Sequence, residues 1–204
     1  MDSLQLTRVN GKLNTAYDDF AGGGNASPGL APGQLGLITT ITKEHALQLS
    51  NTDVGTLYEG EYQYVKLGTT PTVDGDLVIP VKGMALFWED RANFVVNTND
   101  ELRSELAGVF LCNALPLDEN GDPVDPTGKY IYMQKVGPGV YGRATVLGLE
   151  ASTFAEDEPV IAAGDGTSTF DRTTVEDPFT AFTAGLAEGA ADPTTFLVVV
   201  RMLG

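Results

Sequence analysis

Glycine and proline cut this chain into short pieces: 24 Gly and 11 Pro are spread over 204 residues. An amphipathic helix needs an apolar period of 3.6 sustained over about ten residues or more. Here the apolar runs end sooner, at Gly, Pro, Asn or Asp, and they are rich in β-branched and aromatic residues. That combination opposes a helical bundle and suits many short strands joined by turns. The fold expected is mainly β, a compact β-barrel or β-sandwich with one or two short helices. A hydrophobic fraction of 42% rules out a disordered chain and supplies one sizeable core.

The stretch Ser104–Leu149 shows the pattern best. Gly108–Ala114, Lys129–Val136 and Gly142–Leu149 read as three strands around one acidic loop. In the second of them Tyr130, Tyr132 and Gln134 alternate with Ile131, Met133 and Lys135. Pro116, Gly121, Pro123, Pro126 and Gly128 punctuate the first connection, and Gly137-Pro138-Gly139 tightens the next. Upstream, Leu37–Thr42, Glu61–Leu67, Leu77–Val81, Gly83–Trp88 and Asn93–Val96 are further strands, with Trp88 expected to be buried. Glu44–Leu49 reads as a helical turn or a strand end. Asn99–Leu106 is the best helix candidate, capped by Asn99 or Asp100. Downstream, Pro159–Ala163 is a strand. Thr173–Ala191 is ambiguous, since Phe179, Phe182 and Leu186 fit one helical face while Gly185 and Gly189 weaken it. Phe196–Met202 is the most β-prone run and is expected to be buried on both faces inside a sheet.

Residues 1–36 form a Gly/Pro-rich lead-in, read as a flexible N-terminal arm; residues 37–204 form a single β-rich domain. Such a segment loses much chain entropy on ordering and offers little apolar area. Its candidate anchors against a neighbouring subunit are Tyr17, Phe20, Leu30 and Leu35. MDSLQLTRVNGK lacks the apolar core of a signal peptide, and no window approaches the roughly 20 apolar residues of a membrane span. Synthesis in the cytoplasm is the expectation.

The chain carries 28 acidic and 12 basic residues, a net charge of −16. So acidic a surface repels phosphate backbones and anionic membranes, so neither nucleic acid nor membrane is an expected partner. The lone cysteine, Cys112, excludes an internal disulfide and reads as a buried thiol. His45 is the only histidine, which excludes paired-His metal sites; it is expected at a surface or interface. Gly22-Gly23-Gly24 lacks the ending of a phosphate loop. No G-x-S-x-G elbow occurs. Asp118, Asn120 and Asp122 have the first spacings of an EF-hand loop, but Pro123 stands where Gly is required and Lys129 where Glu is. No catalytic residue, cofactor or metal is therefore assigned, and the chain is not expected to be an enzyme.

The run Ala107-Gly108-Val109-Phe110-Leu111, then Gly128-Lys129-Tyr130-Ile131-Tyr132-Met133-Gln134-Lys135-Val136-Gly137, then Arg143-Ala144-Thr145-Val146-Leu147, resembles the central segment of tailed-bacteriophage capsid decoration (cement, head-stabilisation) proteins. Gly83–Trp88 and Glu158–Ile161 fit the same rhythm. The loop Pro116–Thr127 and the N-terminal arm depart from it and are candidate contact elements. The resemblance implies a β-tulip-like fold and a homotrimer on the outer capsid surface, with the major capsid protein and neighbouring copies as partners. The implied function is to stabilise the expanded icosahedral head by bridging major capsid subunits. The alternatives are another phage structural β-domain (tail or baseplate) and a carbohydrate-binding β-sandwich with exposed aromatic platforms.

Overall fold

The computed structural model describes residues 35–49, 57–73, 75–99, 105–111, 118–122, 124–150, 152–163, 168–172 and 183–202. It is mainly β, with a closed five-stranded barrel and a second sheet. In chain order the elements are β1 (Ile38–Ile41), α1 (Lys43–Leu49), β2 (Gly60–Leu67), β3 (Thr72–Val73), β4 (Asp76–Leu77), β5 (Ala85–Asp90), β6 (Val95–Asn97), β7 (Leu106–Phe110), β8 (Tyr130–Gln134), β9 (Arg143–Leu147), β10 (Pro159–Ala162), β11 (Phe170–Arg172), β12 (Thr183–Ala187) and β13 (Leu197–Arg201).

The barrel runs β2-β6-β5-β7-β8 and closes because β8 pairs back onto β2, from Tyr62↔Gln134 to Lys66↔Tyr130. The other edge of β2 is shared. β1 takes its first half, from Ile41↔Gly60 to Ile38↔Gln63, and β6 takes Lys66 and Leu67 in parallel. Strand alternation then sorts the side chains. Val65, Leu67, Leu86, Val96, Ala107, Phe110, Ile131 and Met133 fill the barrel. Tyr62, Tyr64 and Tyr132 point the other way, yet they are also buried, beneath Ile41, Ala46, Leu57 and Leu111. The Tyr64 and Tyr132 rings, directly opposed in register, lie 4.9 Å apart centre to centre, a cross-strand aromatic contact.

The second sheet is antiparallel throughout, in the order β11-β10-β12-β13-β9. A bridge from Gly148 to Phe170 brings its two end strands together. Ala144, Val146, Val160, Phe170, Ala184, Val198 and Val200 line its inner face. They pack against Ala85, Phe87, Leu106 and Val109 of the barrel wall, in one continuous core.

Two glycines let the sheets meet. Gly142 has φ of 116° and forms a bridge with Gly60; a Cβ there would lie 2.1 Å from the Glu59 carbonyl oxygen. Gly83 has φ of 90°, and its added Cβ would lie 2.7 Å from the Leu147 nitrogen. Gly83 accepts a hydrogen bond from Leu147 and donates one to Phe110, tying β9 to the barrel. Neither site tolerates a side chain without moving backbone.

Several local expectations change. The helix expected over Asn99–Leu106 does not reach Leu106, which opens β7 and is buried; residues 100–104 lie outside the described residues. Leu186 belongs to strand β12, not to a helical face; Phe179 and Phe182 lie outside the described residues. Packing overrode propensity there, because the alanines of β12 fit the tight inner face of the second sheet. β13 is internal, but only Val198 and Val200 are fully buried; Leu197 and Val199 are half-buried and Arg201 is exposed. Of the strand expected at Leu77–Val81 only Leu77 pairs, in the small β3–β4 hairpin. Glu44–Leu49 is helical. Trp88 is half-buried, with the Arg91 guanidinium 6.0 Å from its ring. Cys112 lies outside the described residues.

Candidate functional site

Among the described residues the densest group of paired charges sits where the two sheets join. Gly60 and Gly142 bring Glu59 opposite Arg143, and the Arg143 amide donates to the Glu59 carbonyl at 2.9 Å. The guanidinium then grips the Glu59 carboxylate with two nitrogens, Nε at 3.0 Å and Nη2 at 3.3 Å. Its Nη1 reaches Glu188, just past β12, at 3.4 Å, and its Cζ lies over the Tyr58 ring, 4.9 Å from the ring centre. One side chain thus joins the entry to β2 with the second sheet. Beside it, Lys135 pairs with Glu61 at 2.8 Å.

The electrostatics follow from this geometry. Burial pushes the Glu59 carboxyl upward, but hydrogen bonds and charge from Arg143 outweigh it and hold Glu59 below the usual carboxylate range. The Glu59 hydrogen bond pushes Arg143 up in turn. Burial raises the Tyr58 phenol despite the opposing pull of Arg143. Each charge has a partner, so the group works as a clasp between sheets. Tyr58, Glu59 and Arg143 are each shifted away from neutrality.

The acidic loop is also self-contained. One Asp118 carboxylate oxygen accepts from the amides of Asn120 at 2.8 Å and Asp122 at 2.9 Å. These bonds lower its pKa, the Asp122 amide foremost. Asp125 accepts from the Thr70 hydroxyl at 2.5 Å and from Thr127. Among the described residues no group of three or more His, Cys, Asp or Glu side chains could hold a metal ion. A cleft lined by Leu67, Thr69, Thr70, Pro80, Asn97 and Pro126 holds about 10 Å³, room for one water.

The remaining feature is apolar. Three of the seven exposed large hydrophobics among the described residues fall close together in sequence: Leu37 at 43% exposure, Ile38 at 46% and Leu47 at 62%. Ile38 lies on β1, the end strand of its sheet, whose outer edge carries no strand among the described residues. From Phe20 to Thr42 the sequence carries no Asp, Glu, Lys or Arg. Leu37 and Ile38, exposed and apolar in a stretch without charge on a chain of net charge −16, form the surface best suited to contact with another protein.

Of the four residues expected to contact a neighbour, Tyr17, Phe20 and Leu30 lie outside the described residues. Leu35 is half-buried and packs on the protein's own Tyr62–Tyr64–Tyr132 cluster. The chain is tied down just after it: the Gly36 amide donates to the Tyr64 carbonyl at 2.7 Å, and its carbonyl accepts from Gln63 Nε2 at 3.0 Å. His45 is half-buried on α1, and its Nδ1 is buried with no hydrogen-bond partner among the described residues. Sequence reasoning missed the Arg143–Glu59 clasp, whose members stand 84 residues apart. The glycine after Tyr141 and the one after Glu59 were its only signal.

Fold and surface together define a β-barrel protein with an internal charge clasp and an uncharged edge strip. No family model matches the chain, and no curated protein matches it in sequence. Among the described residues no helix is long and apolar enough to cross a membrane.

Proposed function

We propose that this protein is a structural part of a tailed-phage virion, which decorates the outside of the expanded head and bridges neighbouring major capsid subunits. The observation that carries the reading is the strip at Leu37, Ile38 and Leu47. Leu37 and Ile38 lie in a stretch without charge, at a sheet edge, directly after the Gly/Pro-rich lead-in, and Leu47 adds a further exposed apolar side chain on α1. The rhythm of Gly, aromatic and β-branched residues through β5, β7, β8 and β9 agrees with decoration proteins, and a mainly β barrel is a suitable frame for such a role.

In this reading the protein works by surface fit and transforms no substrate. Any contact made only in the assembled shell stabilises that shell by mass action, and repetition over the lattice multiplies a modest site affinity. The net charge of −16 suits a molecule that stays outside the packaged DNA.

The test is binding to expanded heads of the phage whose genome encodes the chain. The full chain should bind them and raise their disruption temperature. Removing residues 1–34 should weaken binding and leave the β-core folded; the cut stops there because Leu35 and Gly36 belong to the core. A protein that ignores the heads, or that binds a glycan through its exposed Tyr141 (63% exposed), overturns the reading.

A further inference from the structure

We infer that β1 is a self-pairing edge, through which two copies of this chain join their barrel sheets antiparallel about a twofold axis. β1 is the end strand of its sheet, paired only with β2 among the described residues. Proteins protect such edges with lysine, proline, a bulge or an inward charge. β1 has none of these: its sequence is Ile-Thr-Thr-Ile, and its register with β2 runs without a shift.

The partner is chosen by charge and by symmetry. Two copies of net charge −16 repel each other over most of their surface, so an uncharged strand is the least costly place for them to meet. β1 itself carries no charge, and Glu61, which opposes Thr40 on β2, is paired with Lys135. An unpaired edge is best satisfied by another unpaired edge, and identical edges related by a twofold axis satisfy both at once.

The side chains are compatible with that symmetry. Opposed residues in an antiparallel pair share a face. An axis through Thr39 sets Ile38 of each copy against Thr40 of the other on the exposed face. Thr39 and Ile41, buried in each copy, stay on the covered face. The pairing closes at two, because each copy has one β1, and it needs neither the capsid reading nor a capsid to form. A strand of four residues gives a small interface, so the association is weak and concentration-dependent.

The test is sedimentation equilibrium of the full chain up to about 1 mM, with amide exchange over Ile38–Ile41 at low and high concentration. The mass should rise from 21.6 kDa toward twice that value. Exchange at β1 should slow only at the high concentration. Ile38→Lys and Thr40→Lys, each at an exposed position, should each weaken the pairing at least about tenfold by placing like charges at the seam. Leu77→Lys, equally exposed on the β3–β4 hairpin, should not. The proposal falls if the chain stays monomeric, if its mass rises to three copies, or if Ile38→Lys and Thr40→Lys leave the pairing intact. It falls too if β1 is already protected in the dilute monomer, which would mean that the chain covers its own edge. Head binding is read in a separate assay: binding by a strictly monomeric chain would sink the pairing and spare the proposed function.

Discussion

Arg143→Ala is the most informative perturbation of this fold. The guanidinium makes two bonds to Glu59, one to Glu188, and a stacking contact with Tyr58. Glu59 is the partner that matters, because its side chain is only 12% exposed while that of Glu188 is 32% exposed. Without Arg143 a largely buried carboxylate loses its ion-pair partner. Breaking a fully buried pair costs about 3–5 kcal/mol and an exposed pair is worth under about 1 kcal/mol. With Arg143 itself 30% exposed, the expected loss is intermediate, about 2 kcal/mol. For a protein of this size that lowers Tm by about 4–8 °C. Thermal unfolding followed by circular dichroism measures it.

The same clasp has a pH signature. Glu59 is depressed in the folded state, so its contribution is fully present above the ordinary glutamate pKa and is lost as pH falls through the folded value. The gap between wild type and Arg143→Ala should therefore be widest near neutrality and narrow in acid. Arg143→Lys keeps the charge but loses the two-point grip and the flat face over Tyr58, so it should recover only part of the loss. In a double-mutant cycle with Glu59→Gln, the two effects should fall short of additive by about 1 kcal/mol or more. An Arg143→Ala protein within about 0.5 kcal/mol of wild type, or a gap that ignores pH, refutes the clasp.

Gly142→Ala should cost more than a typical surface change, about 3 kcal/mol, since the residue has positive φ and its Cβ would meet the Glu59 carbonyl; unfolding in urea reads it, and a neutral outcome would mean that the sheets separate easily. Millimolar calcium should leave Tm unchanged, because the Asp118 carboxylate is already occupied by amides of its own loop; a rise in Tm would reveal a cation site that this loop geometry does not provide.

Much of the architecture was legible because it is written locally. Period-two alternation in Glu61–Leu67 and Lys129–Val136 marks β2 and β8, and Gly-Pro-Gly marks the turn that follows β8. Alternation could not say that both faces of these strands are covered. Tyrosine looks like an outer residue in a strand pattern, and only the arrival of β1, α1 and Leu57 buries Tyr62, Tyr64 and Tyr132. The ambiguity over Thr173–Ala191 resolves at Leu186 in favour of a strand for a related reason. Alanine and glycine suit a helix in isolation, but β12 needs small residues where it packs between β10 and β13.

From the chain alone came the strand-rich class, the surplus of negative charge and the lack of any recognisable catalytic motif, since each depends on residue type and near neighbours. The closure of β8 onto β2, the fusion of two sheets at Gly60 and Gly142, and the grip of Arg143 on Glu59 belong to the tertiary structure. They join residues many tens of positions apart, and no local preference encodes which distant backbone a glycine leaves room for.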